Sequence, residues 1–287
     1  MFNTVREYAD SIEEGQGWIS SFRKVPAVTT LAGQWFDFSG AAGNPVPNYF
    51  ASEPYVSATL EPYKGIVHGP NVSPAKKYIH RVTTVAAGAA TAENVEQIFC
   101  DYILYYPFID MDAAGEEQAF SNTISLPRSV TGAGVQMMVV AQSATLGGGQ
   151  FTVNYTNSDG VAGRVTPNQF CAVAQPTGAI VQAEVGPTGL APFVSLQSGD
   201  KGVRSVESIT FSVANGGLAV LVLVKPIQRH YQRQTLTPSP AEVESIRERA
   251  GLSPNIEDGA FLSFIGRTSG GTASGVPYTG IIETVWR

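Results

Sequence analysis

From about residue 95 to the last residues of the chain, short runs rich in β-branched and aromatic residues alternate with breaks of Gly, Pro and Asn. The runs include "GVQMMVVAQSA", "GQFTVNYT", "GVAGRVT", "GAIVQAEV", "SVESITFSV" and "GLAVLVLVKP". Many short strands at near-regular spacing are the pattern of a β-sandwich or jelly roll. In "VEQIFCDYILYYPFID" a strand would put Ile98, Cys100, Tyr102, Leu104 and Tyr106 on one face. Val95, Ile98, Tyr102 and Tyr105 also fit helical spacing, but the β-branched and aromatic content and Pro107 decide for a strand. "GAFLSFIG" and "GIIETVW" add two strands around a Gly/Ser/Thr loop.

The first ninety residues read differently. Thr4 and Glu7 have the spacing of a capping box, and Val5, Tyr8, Ala9 and Ile12 recur at helical spacing up to Gly15. The expected helix has one apolar stripe, which should dock on its own domain. Residues 25 to 90 carry Pro45, Pro47, Pro54, Pro62, Pro70 and Pro74, which rule out a long helix and make central strands unfavourable. An irregular segment of this length is uncommon in a free-standing domain, so an arm wrapping over another surface is expected. Truncating residues 1 to 60 should then weaken binding more than folding. A second helix is expected at 239–250, from the N-cap Ser239, Pro240 at its first position and Glu242, to a Gly251 stop. The expected fold is all-β: a β-sandwich or jelly-roll-like domain at 91–287 with a helical insertion, preceded by a helix and extended Pro/Gly-rich arm at 1–90.

Composition limits the function classes. Charged residues make up 15% of the chain, against roughly 25% in an average soluble domain, so neutral polar groups must cover much of the surface. A net charge of −6 without a terminal Lys/Arg run argues against a nucleic-acid binder. The longest apolar run, "LAVLVLV", is far below the roughly 20 residues of a membrane span. "MFNTVREYADSIEE" does not read as a secretory signal, which points to synthesis in a cytoplasm. Cys100 and Cys171 lie in apolar runs and are expected as buried free thiols.

Candidate chemistry is sparse. "FTVNYTNSDGVAGRVTPN" holds Asn157, Ser158 and Asp159 beside Gly160, residues that favour a hairpin connection over a reactive loop. "ITFSVANGGLAVLVL" repeats that layout around Asn215. "DMDAAGEE" places Asp110, Asp112 and Gly115 at calcium-loop positions, yet Ala114 and Ser121 stand where ligands belong. It reads as an acidic turn, a half-site that a neighbouring subunit's oxygens could complete in a lattice. The three histidines, His68, His80 and His230, have no metal spacing, and no nucleophile elbow or dinucleotide fingerprint is present. No catalytic residue, metal ligand or cofactor site is assigned, and an enzyme is not expected. The one contact candidate is "KPIQRHYQRQ", where Lys225, Arg229, His230, Tyr231 and Arg233 gather, since Arg bridges carboxylates well across interfaces. A solvated strand exit is the plainer alternative.

"FCDYILYYPFIDMD", "TGAGVQMMVVAQSA", "FTVNYTNSDGVAGRVTPN" and "SGDKGVRSVESITFSVANGGLAVLVLVKP" together resemble a family of virion structural proteins of tailed bacteriophages. The resemblance is strongest from Ile98 to Pro226 and weaker in the arm. It implies a particle-building role without catalytic residues, and within that class a capsid decoration (cement) protein. Such a protein would sit on the capsid surface of the virion and bind the major capsid protein across subunits. Self-association as a homotrimer, and no nucleic-acid or membrane partner, are the further expectations. A tail, neck or head-fibre component is the alternative within the class, and a carbohydrate-binding module the alternative outside it. Trp18, Trp35 and Trp286 are scattered in sequence, which gives the carbohydrate reading little support.

Overall fold

The structure, a computed structural model, describes residues 2, 4–86, 94–185, 189–233, 241–244 and 255–287. Strands, numbered in chain order, form antiparallel sheets, and one α-helix is present among the described residues. The first sheet runs β15 (Ala241–Glu244), β4 (Lys77–Ala86), β17 (Tyr278–Trp286), β1 (Gly17–Val25), β3 (Ala42–Asn44). The central sheet runs β2 (Phe36–Asp37), β16 (Leu262–Thr268), β5 (Asn94–Asp110), β14 (Leu218–Arg233), β7 (Gln136–Ala141). The third runs β12 (Gly189–Leu190), β11 (Gln182–Val185), β10 (Gln169–Cys171), β8 (Gln150–Asn157), β13 (Val203–Phe211), β6 (Glu117–Ala119), with β9 (Arg164–Val165) on β8.

The spine is the ladder between β5 and β14, which pairs Leu218 with Asp110 at one end and Arg233 with Asn94 at the other. These are the two most apolar runs of the sequence, and both faces of the sheet they form are covered. Met137, Val139, Leu221 and Leu223 pack with Phe151, Val153, Val206 and Phe211 of the third sheet. Toward the other end, Phe99 and Phe264 pack with Phe22, Ile79, Val82 and Ile282 of the first sheet. Strands buried on two faces lose clean alternation and read as continuous apolar runs, as "LAVLVLV" does. Pro226 sits inside β14 at a register shift between Pro226 and Gln228, a place where its missing N–H is tolerated.

The opposite face of the central sheet is covered by the arm. Trp35, Phe50 and Leu60 are buried against Ile98, Cys100, Tyr102, Val222 and Phe261. On the face shared with the first sheet the arm contributes Phe38, fully buried, which stacks on Phe264 at 4.6 Å between ring centroids. The surface that the proline-rich arm wraps is thus the chain's own sheet. The Pro-rich segment does lack long strands, but on either side of it β1 and β4 are long and pair with β17.

The helix α1 (Val5–Glu13) starts as expected, with Thr4 Oγ1 accepting the Glu7 N–H at 3.1 Å, and gives way to Gly15 at φ +75°. Its docking face differs from the expected stripe. Ser11 is buried and the Tyr8 hydroxyl bonds His80, whereas Val5 and Ile12 are 85% and 45% exposed. The second expected helix is corrected in its first turn: residues 241–244 form β15, paired with Thr84 to Arg81 of β4. Residues 245–250 lie outside the described residues. Strand pairing to β4 outweighs a capping signal whose own helix has only a narrow apolar stripe.

The two Asn/Gly breaks also part company. Asn157 Oδ1 accepts the N–H groups of Asp159 and Val161, closing a turn from β8 to the antiparallel β9. Around Asn215, by contrast, the chain leaves the third sheet at β13 and enters the central sheet at β14, so this break is a crossover between layers rather than a hairpin. Asn215 is buried, and its side chain bonds Gly149 N–H and Val213 C=O. Gly216 and Gly217 follow at positive φ (69° and 80°), a conformation that suits glycine. Both cysteines are free and buried, and burial pushes their thiols up, Cys171 to about 12.

Candidate partner-contact surface

The strand end singled out by its cations does not act as one patch. β14 alternates after the Pro226 bulge, so His230 turns inward while Arg229 and Tyr231 turn outward. His230 stacks on Phe99, its Nε2 lies 2.8 Å from Thr84 Oγ1, and burial lowers its pKa to about 4. A neutral, enclosed imidazole has no access to a partner. Lys225 is half-buried, donating to Ser129 Oγ at 3.0 Å and lying 3.7 Å from Glu257. For Arg233 the described structure gives its backbone pairing with Asn94.

What reaches the surface is a cross-strand cluster. The buried Glu96 of β5 is ion-paired with Arg229 of β14 and with Arg267 of β16, whose Nε lies 2.8 Å from Glu96 Oε2. Arg267 lies over the ring of buried Trp35 at 5.1 Å. Two guanidinium groups around one carboxylate leave a net positive spot, bordered by Tyr231 at 57% exposure. An acidic or amide-rich partner surface suits such a spot.

Other buried charges are committed to the fold. Asp101 takes two hydrogen bonds from Arg128 (2.8 and 2.9 Å) and one from Phe261 N–H, while burial raises its pKa. Asp37, also raised by burial, accepts from Ser39 and from the Tyr102 hydroxyl. His68 Nε2 meets Ala260 C=O at 3.0 Å and its Nδ1 faces Lys77 Nζ at 3.1 Å. That arrangement fits a neutral imidazole, and burial lowers its pKa to about 4. In the acidic turn, Asp110 Oδ1 accepts Asp112 N–H and Asp112 Oδ1 accepts Gly216 N–H. Among the described residues no group of three or more His, Cys, Asp or Glu is placed to hold a metal ion. No described helix is long and apolar enough to cross a membrane.

A second surface was missed by sequence reasoning. Trp18 and Ile19 of β1 line a groove of about 520 Å³ with Val46, Tyr63 and Val67. Ile19, Val46, Tyr63 and Val67 are 69%, 52%, 71% and 54% exposed, and Trp18 is 44% exposed. The same Trp18 and Ile19 border a second hollow of about 340 Å³ that reaches Ile12. The signal lay in "GWISSF", an apolar strand without a charge, but its neighbours in space are far off in sequence.

No family model and no curated protein matches this chain. Among solved structures, it is similar to the infectious bursal disease virus VP2 subviral particle protein at 10% identity, over 94% of this chain and 80% of that one, with a TM-score of 0.20. The protein of infectious bursal virus derived T=1 particles gives 8% identity, 94% and 77% coverage, and a TM-score of 0.20.

Proposed function

We propose that this chain is a virion structural protein, a capsid decoration protein that binds across major-capsid subunits and stabilises the shell without performing bond-making chemistry. The observation that carries the reading is the apolar groove along β1. Contiguous exposed apolar surface on a protein so poor in charge marks a place meant to be covered. The groove supplies what an interface core needs, aromatic anchors with few charges. The Arg229–Glu96–Arg267 cluster supplies a polar contact of the kind found at an interface rim. The runs that resemble phage virion proteins agree with this reading. Its remaining parts are a jelly-roll-like sandwich, assembly as a homotrimer, and a place on the outer capsid surface.

The thermodynamics are those of any ligand specific to the assembled state. Binding only the complete shell adds binding free energy to shell stability by mass action. Copies that each link several capsomers gain further from multivalency. The test uses particles produced without this chain. Adding the purified protein back should raise the shell's melting temperature with saturable dependence on protein concentration. Failure to bind shells, with shell melting unchanged, overturns the proposal.

A further inference from the structure

The strand β1 pairs with β17 in unbroken register from Gly17 to Lys24, but with β3 only from Arg23 to Val25. Over Gly17–Phe22 the second edge of β1 therefore has no strand beside it among the described residues. Ser21 identifies which groups face that edge: its C=O accepts the Asn44 side-chain amide at 3.2 Å. A residue's N–H and C=O point to the same side of a strand and alternate along it. Ile19, two residues back, therefore turns both of its main-chain groups to the open edge.

Natural sheets blunt such edges with Lys, Pro, bulges or a covering loop. Here the open run is "GWISSF", with no charge, no Pro and no register break. The segment Tyr63 to Val67 forms the far side of the groove and does not pair with β1 as a strand. It is fixed in place, since Ile66 N–H bonds Leu262 C=O at 2.7 Å and Ser20 Oγ donates to Val67 C=O. Gly69, at φ +90°, lies so close to Trp18 that a Cβ there would come within 2.9 Å of the Trp18 Cβ. Trp18 is thereby held as a wall of the groove rather than left to fold over it. At the far end, Lys24 is buried and donates to the carbonyls of Ser39, Ala41 and Pro45, which pins the segment bearing β3 and sets where existing pairing stops.

We infer that this groove accepts an extended, uncharged segment of a partner polypeptide as an added β-strand along Gly17–Phe22. The inference rests on the assembly reading above and names the kind of contact involved. The choice of a peptide follows from the main chain: an open edge offers donors and acceptors at strand spacing, which another backbone matches. The choice of an uncharged, apolar segment follows from the walls, Trp18, Ile19, Val46, Tyr63 and Val67, none of which carries an ionic charge at neutral pH. At about 3.3 Å per residue the edge over Gly17–Phe22 is about 20 Å long, with Gly17 and Ile19 turning both main-chain groups to it and Ser21 its N–H, since the Ser21 C=O is held by Asn44.

Amide exchange of the full chain, read residue by residue by NMR, tests this with two probes: shells lacking the chain, and the peptide acetyl-Thr-Val-Thr-Ile-Thr-Val-Thr-amide. In the free protein the Ile19 amide should exchange much faster than that of Ser20, which faces β17. Either probe should slow Ile19 at least tenfold while changing Ser20 little. Ile19→Lys and Val67→Lys, both at exposed positions, should keep the parent melting temperature and lose at least tenfold in affinity for the probes. Shell binding that leaves Ile19 exchange and both variants unaffected overturns the inference while the decoration reading stands. Absence of shell binding overturns the decoration reading, and the peptide alone then decides whether the edge takes a strand. If neither probe protects Ile19, or chitotetraose quenches Trp18 fluorescence while the peptide does not, the groove is not a strand acceptor.

Discussion

Replacing Phe38 by Ala tests whether the proline-rich arm belongs to the folded core. Phe38 is fully buried and contacts three aromatic rings, Phe264 at 4.6 Å, Tyr278 at 4.5 Å and Phe36 at 5.1 Å. It thereby joins the arm to the central sheet through Phe264 and to the first sheet through Tyr278. Removing a buried Phe costs about 3–5 kcal/mol, the loss of transfer energy plus the cavity left behind. At roughly 2–4 °C per kcal/mol for a chain of this size class, thermal unfolding followed by near-UV circular dichroism should move down by about 6–20 °C. Leu31→Ala, at a position 50% exposed, serves as the control and should move it by no more than about 2 °C. An arm that folds only against another subunit gives the opposite result. Phe38→Ala would then leave the melting temperature of the isolated chain at the parent value and reduce shell binding instead, refuting the intramolecular closure described above.

Three other outcomes follow from the structure. His68 and His230, both near 4 in the fold against 6.5 in an unfolded chain, should make stability fall as pH drops from about 6.5 to 4. The unfolded chain takes up protons there that the fold refuses, so their contribution is complete above 6.5 and lost by about 4, at up to about 3 kcal/mol for each. Asp37 and Asp101, raised by burial, act in the opposite sense, so the comparison is with His230→Phe. Its urea midpoint should depend less on pH across that window, and identical slopes would contradict the assignment. In the β8–β9 turn, Asp159→Asn should change stability by no more than about 0.5 kcal/mol, because Asp159 is exposed. Asp200→Ala should lower the melting temperature by several degrees, because Asp200 accepts from Tyr155, Asn157 and Arg164. Asp159→Asn should also leave shell binding unchanged, and a folded variant that no longer binds would place function in the turn. Chelator should leave the melting temperature of the isolated chain unchanged, and a large fall would return "DMDAAGEE" to consideration as a metal site.

The sequence carries much of this architecture openly and conceals the rest for identifiable reasons. β5, β7, β8, β13, β14, β16 and β17 are legible because β-branched and aromatic runs end at Gly, Pro or Asn. β1 and β4 are not, because Lys24 and Lys77 occupy fully buried positions and make core-facing strand faces look polar. Such lysines are tolerated because backbone carbonyls, and for Lys77 also His68 Nδ1, receive their ammonium protons, and these acceptors lie in loops that no local pattern identifies. The cationic strand end is visible as composition, but the bulge at Pro226 determines which side chains face outward, and so His230 turns inward while Arg229 turns outward. The groove beside β1 joins residues 18, 46 and 67, whose proximity depends on the paths of separate loops. Of the three scattered tryptophans only Trp18 lines it, while Trp35 is buried against the central sheet.

Cryo-electron microscopy of the intact particle tests the central claim most directly. Density fitting this chain should lie on the outer shell, spanning junctions between major-capsid subunits, with a strand from a neighbouring polypeptide beside Gly17–Phe22. A shell that carries no such density, with the chain recovered only as a free monomer, would contradict the account.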